Sequence, residues 1–337
     1  MTFSLTRGTN ISHWLSQSQA RGEIRRQRFR HTDVAQLRDW GFDHLRLPID
    51  EEQMWTPDGQ RDHEAFDLLG EALDWCLEAG LNAIVDLHLL RSHHFLDANP
   101  PLFTQPKEAA KFAHLWCDLS AFLHERPLNR VAYELMNEAV ARDDEDWNRV
   151  AAYPYRALRE IEPTRTIVLG SNRWNQCATF DHLHVPDDSH LILTFHYYHP
   201  LLVTHYKAPW AKNVCEYTGP IQYPGPAISA EEWAKVSPEL QTRIAQENKP
   251  YDAQQMEQDL AKPLAVSKKT GLPLYCGEFG VLATAPDDIR VRWYRDLLSV
   301  FQRHDIAWAN WDYRGGFGLI DKDAHPTAVL EGLMGKR

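Results

Sequence analysis

The 337-residue sequence predicts an α/β fold: a single-domain (β/α)8 TIM barrel with a long loop insertion after the sixth strand. Eight short apolar runs rich in β-branched or aromatic residues recur along the chain, and stretches of helical periodicity separate most of them. Strands buried on both faces of a parallel sheet have this composition. No Ser/Gly-rich or Pro-rich linker divides the chain, so we expect one barrel domain over residues 1–337.

The predicted elements alternate in the order that a barrel requires. The eight strands are predicted at residues 6–11, 44–47, 83–87, 131–136, 166–169, 191–195, 273–276 and 306–310. The helices between them are predicted at residues 32–40, 64–79, 106–124, 145–161, 253–270 and 288–304. Gly41, Gly80 and Gly271 follow three of these helices, and glycine readily takes the left-handed conformation that ends a helix.

One segment interrupts this alternation. Residues 196–251 follow the sixth strand, contain seven prolines and several aromatic residues, and predict a loop rather than regular elements. A connection of this length inside a compact domain usually has a function of its own. We expect the segment to lie over the C-terminal mouth of the barrel.

Charge and cysteine content argue against several classes of protein. The 36 Lys and Arg against 47 Asp and Glu give a net charge of −11, so we expect neither a nucleic-acid nor a membrane partner. No apolar run reaches the roughly 18 residues of a membrane span. The N-terminus lacks the features of a signal peptide, which predicts a cytoplasmic protein, with a secreted protein as the alternative. The five widely spaced cysteines indicate neither a disulfide framework nor a zinc site. The oligomeric state is left open.

Polar and aromatic side chains follow most of the predicted strands. In a (β/α)8 barrel the carboxyl ends of the strands form one face, and catalytic residues lie there. The residues found at those ends are Arg46, His88, Asn137, Glu138, His196, Tyr198, Glu278 and Trp311. Any one of them alone is as readily a hydrogen-bonded strand end, but together they predict an active site. Trp14 and Trp55 follow the first two strands and are candidates for lining the same cleft.

Two of these residues, Glu138 and Glu278, follow strongly apolar runs and are expected to be buried near one another. Burial of neighbouring carboxyls raises at least one pKa, which leaves one protonated acid and one ionised base or nucleophile. Such a pair suits glycosidic bond cleavage, and a retaining enzyme holds its carboxyls roughly 5–5.5 Å apart. We expect Arg46 to keep one carboxylate ionised, and His196 and Tyr198 to hydrogen-bond the other.

Two motifs carry a family resemblance. The run Tyr-Glu-Leu-Met-Asn-Glu at 133–138 and the run Tyr-Cys-Gly-Glu-Phe-Gly at 275–280 strongly resemble glycoside hydrolase family 5, the cellulase-like retaining β-glycosidases. The likeness covers nearly the whole chain. The other strand-end residues match further active-site positions of that family, in the same order and on the same strands.

The resemblance implies a mechanism. Glu278 attacks the anomeric carbon while Glu138 protonates the departing oxygen, and water then opens the glycosyl-enzyme with net retention. The implied roles of the other residues are these: Arg46 and Tyr198 orient Glu278, Asn137 binds the sugar 2-hydroxyl, His88 and His196 bind sugar, and Trp311 forms the floor under the sugar on the non-reducing side. The implied substrate is a β-glucan or a derived oligosaccharide, without a metal or cofactor.

Several alternatives stay open. A β-mannan, a xyloglucan or a glycolipid suits the same mechanism, because sugar identity depends on loop contacts. A barrel that binds carbohydrate without catalysis is a second class. A metal-dependent sugar isomerase is a third, with ligands from the two glutamates, Glu138 and Glu278, and from the cluster of Asp86, His88, His93 and His94. The sequence gives neither the linkage nor endo or exo action.

Overall fold

The computed structural model describes residues 3–335, in which eight parallel strands close into a barrel in sequence order. The strands are β1 (Arg7–Asn10), β2 (His44–Asp50), β3 (Asn82–Leu89), β4 (Val131–Glu134), β5 (Ile167–Gly170), β6 (Leu191–Tyr197), β7 (Leu274–Phe279) and β8 (Ala307–Asn310). Strand β8 pairs with β1 and so completes the ring. The predicted fold class is confirmed, and every predicted strand overlaps an observed one.

Helices of very different lengths connect the strands. They are α1 (Gly22–Arg28), α2 (His31–Asp39), α3 (Glu51–Met54), α4 (His63–Glu78), α5 (Pro101–Thr104), α6 (Pro106–Leu123), α7 (Asp144–Ile161), α8 (Asn172–Asn175), α9 (Leu201–Thr204), α10 (Ala230–Trp233), α11 (Pro238–Ile244), α12 (Ala253–Asp259), α13 (Ala261–Thr270), α14 (Asp287–Arg303) and α15 (Ala328–Met334). The long helices begin and end within one or two residues of the predicted positions, except at 253–270.

The helix predicted at residues 253–270 is two helices, α12 and α13, that meet at Leu260. Pro263 explains the break, because proline has no N–H with which to bond the carbonyl of Asp259 four residues earlier. Helix α13 ends as predicted at Gly271, which has a left-handed φ of 73°.

No long helix follows β5. A turn (α8) and a 3-10 helix (Cys177–His182) take that place. Arg173, Trp174 and Asn175 in this turn all have φ between 53° and 62°. Three consecutive non-glycine residues in the left-handed region are uncommon, and they hold the loop after β5 close to the barrel mouth.

The barrel interior is filled in layers by side chains that alternate along each strand. At the amino-terminal end an apolar cluster comprises Ile84, Ala132, Val168, Ile192, Tyr275 and Ala309. Above this cluster the interior becomes polar. On β3 the next two residues on the inward face after Ile84 are Asp86 and His88. Gly8 is required at this level because an added Cβ would lie 2.2 Å from the His44 ring.

The segment 196–251 begins inside β6 and forms the long insertion that the sequence predicts, largely irregular but with the short helices α9, α10 and α11. Its first part lies at the mouth, where Tyr198 and Ala208 pack in one cluster with Trp311. Its second part lies on the flank of the barrel, where the Tyr223 hydroxyl donates to Asp296 of α14 at 2.8 Å.

Trp14 and Trp55 do not line the cleft. They are 1% and 2% exposed, and their indole N–H groups donate to the Arg25 carbonyl and to Asp118. Both belong to the core between barrel and helices. Among residues 3–335, no helix combines the length and apolar character needed to cross a bilayer.

Candidate active site

Arg46 lies at the centre of the barrel mouth, and its side chain is completely buried. Its guanidinium meets three carboxylates. Nε donates to Glu134 at 2.7 Å, Nη1 donates to Glu278 at 2.8 Å, and Nη2 lies 2.9 Å from Asp86. One cation thus faces three buried acids, which come from three different strands.

Glu278 and Glu138 lie side by side above this cluster. The Tyr198 hydroxyl donates to Glu278 Oε2 at 3.0 Å. His196 Nδ1 lies 2.8 Å from Glu138 Oε1 and 3.6 Å from Glu278 Oε2. One carboxylate oxygen of Glu138 and one of Glu278 lie within 4.8 Å of each other, closer than the roughly 6.5–9.5 Å between the carboxyls of an inverting glycosidase.

The two carboxyls differ in their electrostatic partners. Burial raises the pKa of both, and the neighbouring Glu278 charge raises the pKa of Glu138 further. At Glu278, Arg46 and the Tyr198 hydroxyl oppose the effect of burial and lower the pKa. Glu278 is therefore the group that ionises first, and Glu138 keeps its proton to higher pH.

The backbone brings these groups together by local irregularities at the strand ends. Glu138 has a left-handed φ of 45°, four residues after the end of β4. The β6–β7 register shifts after Phe195, so that His196 pairs with Glu278. Gly277 permits this approach, because an added Cβ would lie only 3.3 Å from the His196 ring.

Asn137 is oriented by Arg46, whose Nη2 donates to the Asn137 Oδ1 at 3.0 Å. Since the amide oxygen is occupied in this way, the Nδ2 donors face away from the guanidinium, and they have no hydrogen-bond partner among residues 3–335. Asn10 accepts from Arg46 in the same manner at 2.8 Å, but its Nδ2 donates to the Gly277 and Asn310 carbonyls. Of the two asparagines that bind Arg46, Asn137 is the one that keeps amide donors for a bound molecule.

His88 and Trp311 form the other side of the site. His88 Nδ1 lies 2.8 Å from Asp86 Oδ2, and burial lowers the pKa of His88, so its ring is neutral. The indole of Trp311 is nearly parallel to this ring, with an angle of 6° and 5.5 Å between the ring centroids. The pair presents an aromatic surface beside the carboxylates, and such surfaces stack on the C–H face of a sugar.

Glu138, His196 and Glu278 also have the composition of a metal site, with one ligand atom from each within 4.8 Å of the others. Arg46 already places a cation 2.8 Å from Glu278. A divalent ion would have to compete with this guanidinium for the same carboxylate. The geometry therefore favours acid–base and nucleophilic chemistry at these residues.

The Asp86, His88, His93 and His94 part of the isomerase ligand set is not assembled into one site among residues 3–335. Asp86 Oδ2 is shared between His88 and Arg46. His93 is buried against Phe103, and within residues 3–335 it joins no group of three potential ligands. The His94 ring instead packs at a tilt of 34° against Phe95, with 4.6 Å between ring centroids.

A family model described as Cellulase (glycosyl hydrolase family 5) matches residues 9–316, from the first strand to the loop after the eighth. This chain belongs to glycosyl hydrolase family 5. It is accordingly an O-glycoside hydrolase, and the predicted family and enzyme class are confirmed.

Named relatives match most or nearly all of this family 5 chain. Endoglucanase C of Acetivibrio thermocellus is 30% identical over 343 residues, which cover 99% of each chain. Cellodextrinase A of Ruminococcus flavefaciens is 26% identical and covers 90% of this chain and 84% of its own. The solved structure of Thermotoga maritima Cel5A in complex with mannotriose is 23% identical, with a TM-score of 0.78 over 98% of this chain and 97% of that one.

The eight predicted site residues of this family 5 chain form one connected cluster. Arg46 bonds Asn137 and Glu278. His196 contacts Glu138, and His88 contacts Asp86. Tyr198 bonds Glu278, and Trp311 stacks on His88. One expectation from the residues alone is wrong in part. Tyr198 binds Glu278, the carboxylate that Arg46 also binds, and of the two predicted partners of Glu138 it is His196 that contacts it.

Glu134 is the main residue that the sequence prediction missed. It is fully buried, binds Arg46 through both carboxylate oxygens, and does not reach the cleft. The alternation of side chains along a strand could have identified it, because Ala132 faces the barrel interior and Glu134, two residues later, must face it as well. A carboxylate at an interior position of a buried strand requires a cation, and Arg46 on β2 is that cation.

Proposed function

We propose that this chain cleaves β-linked gluco-oligosaccharides or β-glucan by double displacement, with Glu278 as nucleophile and Glu138 as general acid and base. The observation that supports the assignment is the difference in partners. Glu278 has a guanidinium and a phenol as donors, whereas the Glu138 carboxyl has, within residues 3–335, only His196, whose pKa burial lowers so that its ring is neutral. A nucleophile must be ionised and an acid must hold a proton, and these surroundings favour that division.

The first step uses the proton on Glu138. An oxygen of Glu278 bonds to the anomeric carbon, the bond from that carbon to the leaving oxygen breaks, and the Glu138 proton moves to that oxygen. Esterification removes the negative charge of Glu278, which is one cause of the raised pKa of Glu138. The pKa of Glu138 then falls, so Glu138 accepts a proton from water in the second step.

The remaining residues act on the sugar next to the bond that is cut. Asn137 offers its free Nδ2 to the 2-hydroxyl, and His88 offers the nitrogen that does not face Asp86. Trp311 supplies the surface on which this sugar stacks. Arg46 and Tyr198 hold Glu278 for in-line attack.

The substrate assignment rests on the relatives. Endoglucanase C and Cellodextrinase A carry names that refer to glucan and cellodextrin. A structural neighbour is described with mannotriose, so the epimeric sugar belongs in the test. We favour gluco-configured oligosaccharides for this chain.

The test is intact-mass spectrometry after incubation with 2-deoxy-2-fluoro β-glycosyl fluorides of gluco, cellobio and manno configuration. We expect a one-sugar or two-sugar adduct on Glu278 with the gluco and cellobio reagents. The Glu138→Ala variant should still accumulate the adduct, because fluoride departs without an acid. The Glu278→Ala variant should accumulate none.

The exposed Glu145→Gln variant is the matched control and should label like the wild type, because its carboxylate lies outside the cluster. An adduct on Glu138 would reverse the roles of the two glutamates. Labelling by the manno reagent alone would replace glucan by mannan as the substrate.

A further inference from the structure

His13 lies on the loop after β1 and differs from its neighbours in exposure. Its side chain is 40% exposed, whereas Ser12 and Trp14 are 3% and 1% exposed. Its backbone is left-handed, with φ of 53°. Non-glycine residues take this conformation uncommonly, and such residues cluster at functional sites, which points to a function for the His13 side chain.

The His13 ring is held beside the aromatic floor of the cleft. It meets the Trp311 ring edge to face, with 6.3 Å between centroids and 73° between planes. Its Nδ1 lies 3.5 Å from the Gln17 carbonyl, and its Nε2 lies 4.0 Å from Asp312 Oδ2. Nε2 has no hydrogen-bond partner among residues 3–335, so it can form a hydrogen bond with a hydroxyl whichever ring nitrogen carries the proton.

The position of His13 around the barrel indicates which sugar unit of a bound glycan it contacts. In a closed ring of eight strands, β8 and β1 lie opposite β4 and β5. Glu138, which protonates the leaving group, follows β4, while Trp311 and His13 follow β8 and β1. A glycan that stacks on Trp311 therefore extends over His13 on the side away from the leaving group.

We propose that His13 binds a hydroxyl of the second sugar unit on the non-reducing side of the cut. This rests on the proposed function, since it uses the roles of Glu138 and Trp311. Asp312 supports the site from below: it is fully buried and accepts from the Ser12 hydroxyl, which fixes the start of the loop. The enzyme accordingly discriminates between substrates with one and with two sugar units before the cut.

The experiment compares β-glucosyl fluoride with β-cellobiosyl fluoride. Both have the same leaving group, and they differ only in the sugar that would reach His13. We expect His13→Gly to lower kcat/KM about tenfold for the cellobiosyl substrate, the size of one lost hydrogen bond to a sugar, and to leave the glucosyl substrate unchanged. The Tm should stay level or rise, because glycine takes this backbone conformation without strain.

Gln17→Gly is the matched control. Gln17 is on the same loop with φ of 48°, so glycine relaxes a similar backbone there without removing the proposed contact. His13→Asn should recover part of the loss, because asparagine tolerates the left-handed region and its amide oxygen accepts a hydrogen bond.

The outcomes separate the two proposals. Wild-type turnover of both fluorides with an unchanged cellobiosyl-to-glucosyl ratio in His13→Gly overturns the role of His13 alone. An equal loss in Gln17→Gly also overturns it, because the effect then belongs to the loop backbone. Wild-type protein that turns over neither fluoride overturns the proposed function and this inference with it.

Discussion

The centre of the barrel mouth and its rim hold their functional side chains in different ways. Arg46, Asp86 and Glu134 are completely buried, and hydrogen bonds between strands fix their positions. Trp174 and Trp210 at the rim are 40% and 50% exposed, on the loops after β5 and β6. The centre can set the charge of the reacting groups, and the rim can only set which glycan is held against them.

Two of the acidic residues at the centre of the barrel mouth, Asp86 and Glu134, are protonated over much of the acidic pH range. Burial raises the pKa of Asp86 and of Glu134 to about 7 each, although Arg46 opposes this at both. Buried carboxyls of this kind retain protons that they lose on unfolding. Their contribution to stability is thus complete at acidic pH and is lost as the pH rises from about 4 to about 7.

Replacing Arg46 by methionine should have the largest effect of any change in the cleft. It leaves three buried carboxyls without a cation, and Glu278 then stays protonated and cannot attack. We expect kcat/KM to fall at least about 1,000-fold and the free energy of unfolding to fall by about 3–5 kcal/mol. Steady-state hydrolysis measures kcat/KM, and urea unfolding measures the free energy of unfolding.

The same substitution at Arg61 is the control. Arg61 bonds Asp118 through two nitrogens, but it is 32% exposed and lies outside the barrel. Arg61→Met should cost about 1 kcal/mol or less and leave kcat unchanged. A similar loss of kcat in both variants would mean that burial at the centre has no special role.

The sequence predicted the centre well for a geometric reason. Parallel strands end at the same level, so side chains such as Arg46, His88 and Glu278 that follow apolar runs must converge. The connections after the strands were predicted poorly, as the three left-handed residues after β5 and the short helices within 196–251 illustrate. Such conformations depend on tertiary contacts, for example the 3.1 Å hydrogen bond from the Trp174 N–H to the Ala139 carbonyl.

Glu134→Gln tests whether a residue without access to the cleft still controls the centre. The amide cannot pair with both guanidinium nitrogens, so we expect kcat/KM to fall roughly 10- to 100-fold. The negative charge of Glu134 is one cause that raises the pKa of Glu278. Its removal lowers that pKa, so the acidic limb of the kcat/KM profile should move to lower pH.

Tyr198→Phe should move the same limb in the opposite direction, with a smaller loss of about 10-fold. The Tyr198 hydroxyl donates to Glu278 and lowers its pKa, so its removal raises the pKa and shifts the acidic limb to higher pH. If both variants shift the limb the same way, a different group controls it. Tyr206→Phe, with a hydroxyl bonded to the Gly219 carbonyl, is the control and should leave the limb in place.

Trp174→Ala should have the smallest effect, and it tests the rim. The indole N–H donates to the Phe95 carbonyl at 2.8 Å, and the backbone N–H donates to the carbonyl of Ala139, which follows Glu138 on the leaving-group side. One lost sugar stack lowers kcat/KM for cellotetraose about 3- to 10-fold. Turnover of β-cellobiosyl fluoride, which has no sugar on that side, should not change. An equal loss on both substrates would show that Trp174 supports Glu138 itself, and the separation of rim from centre would then fail at β5.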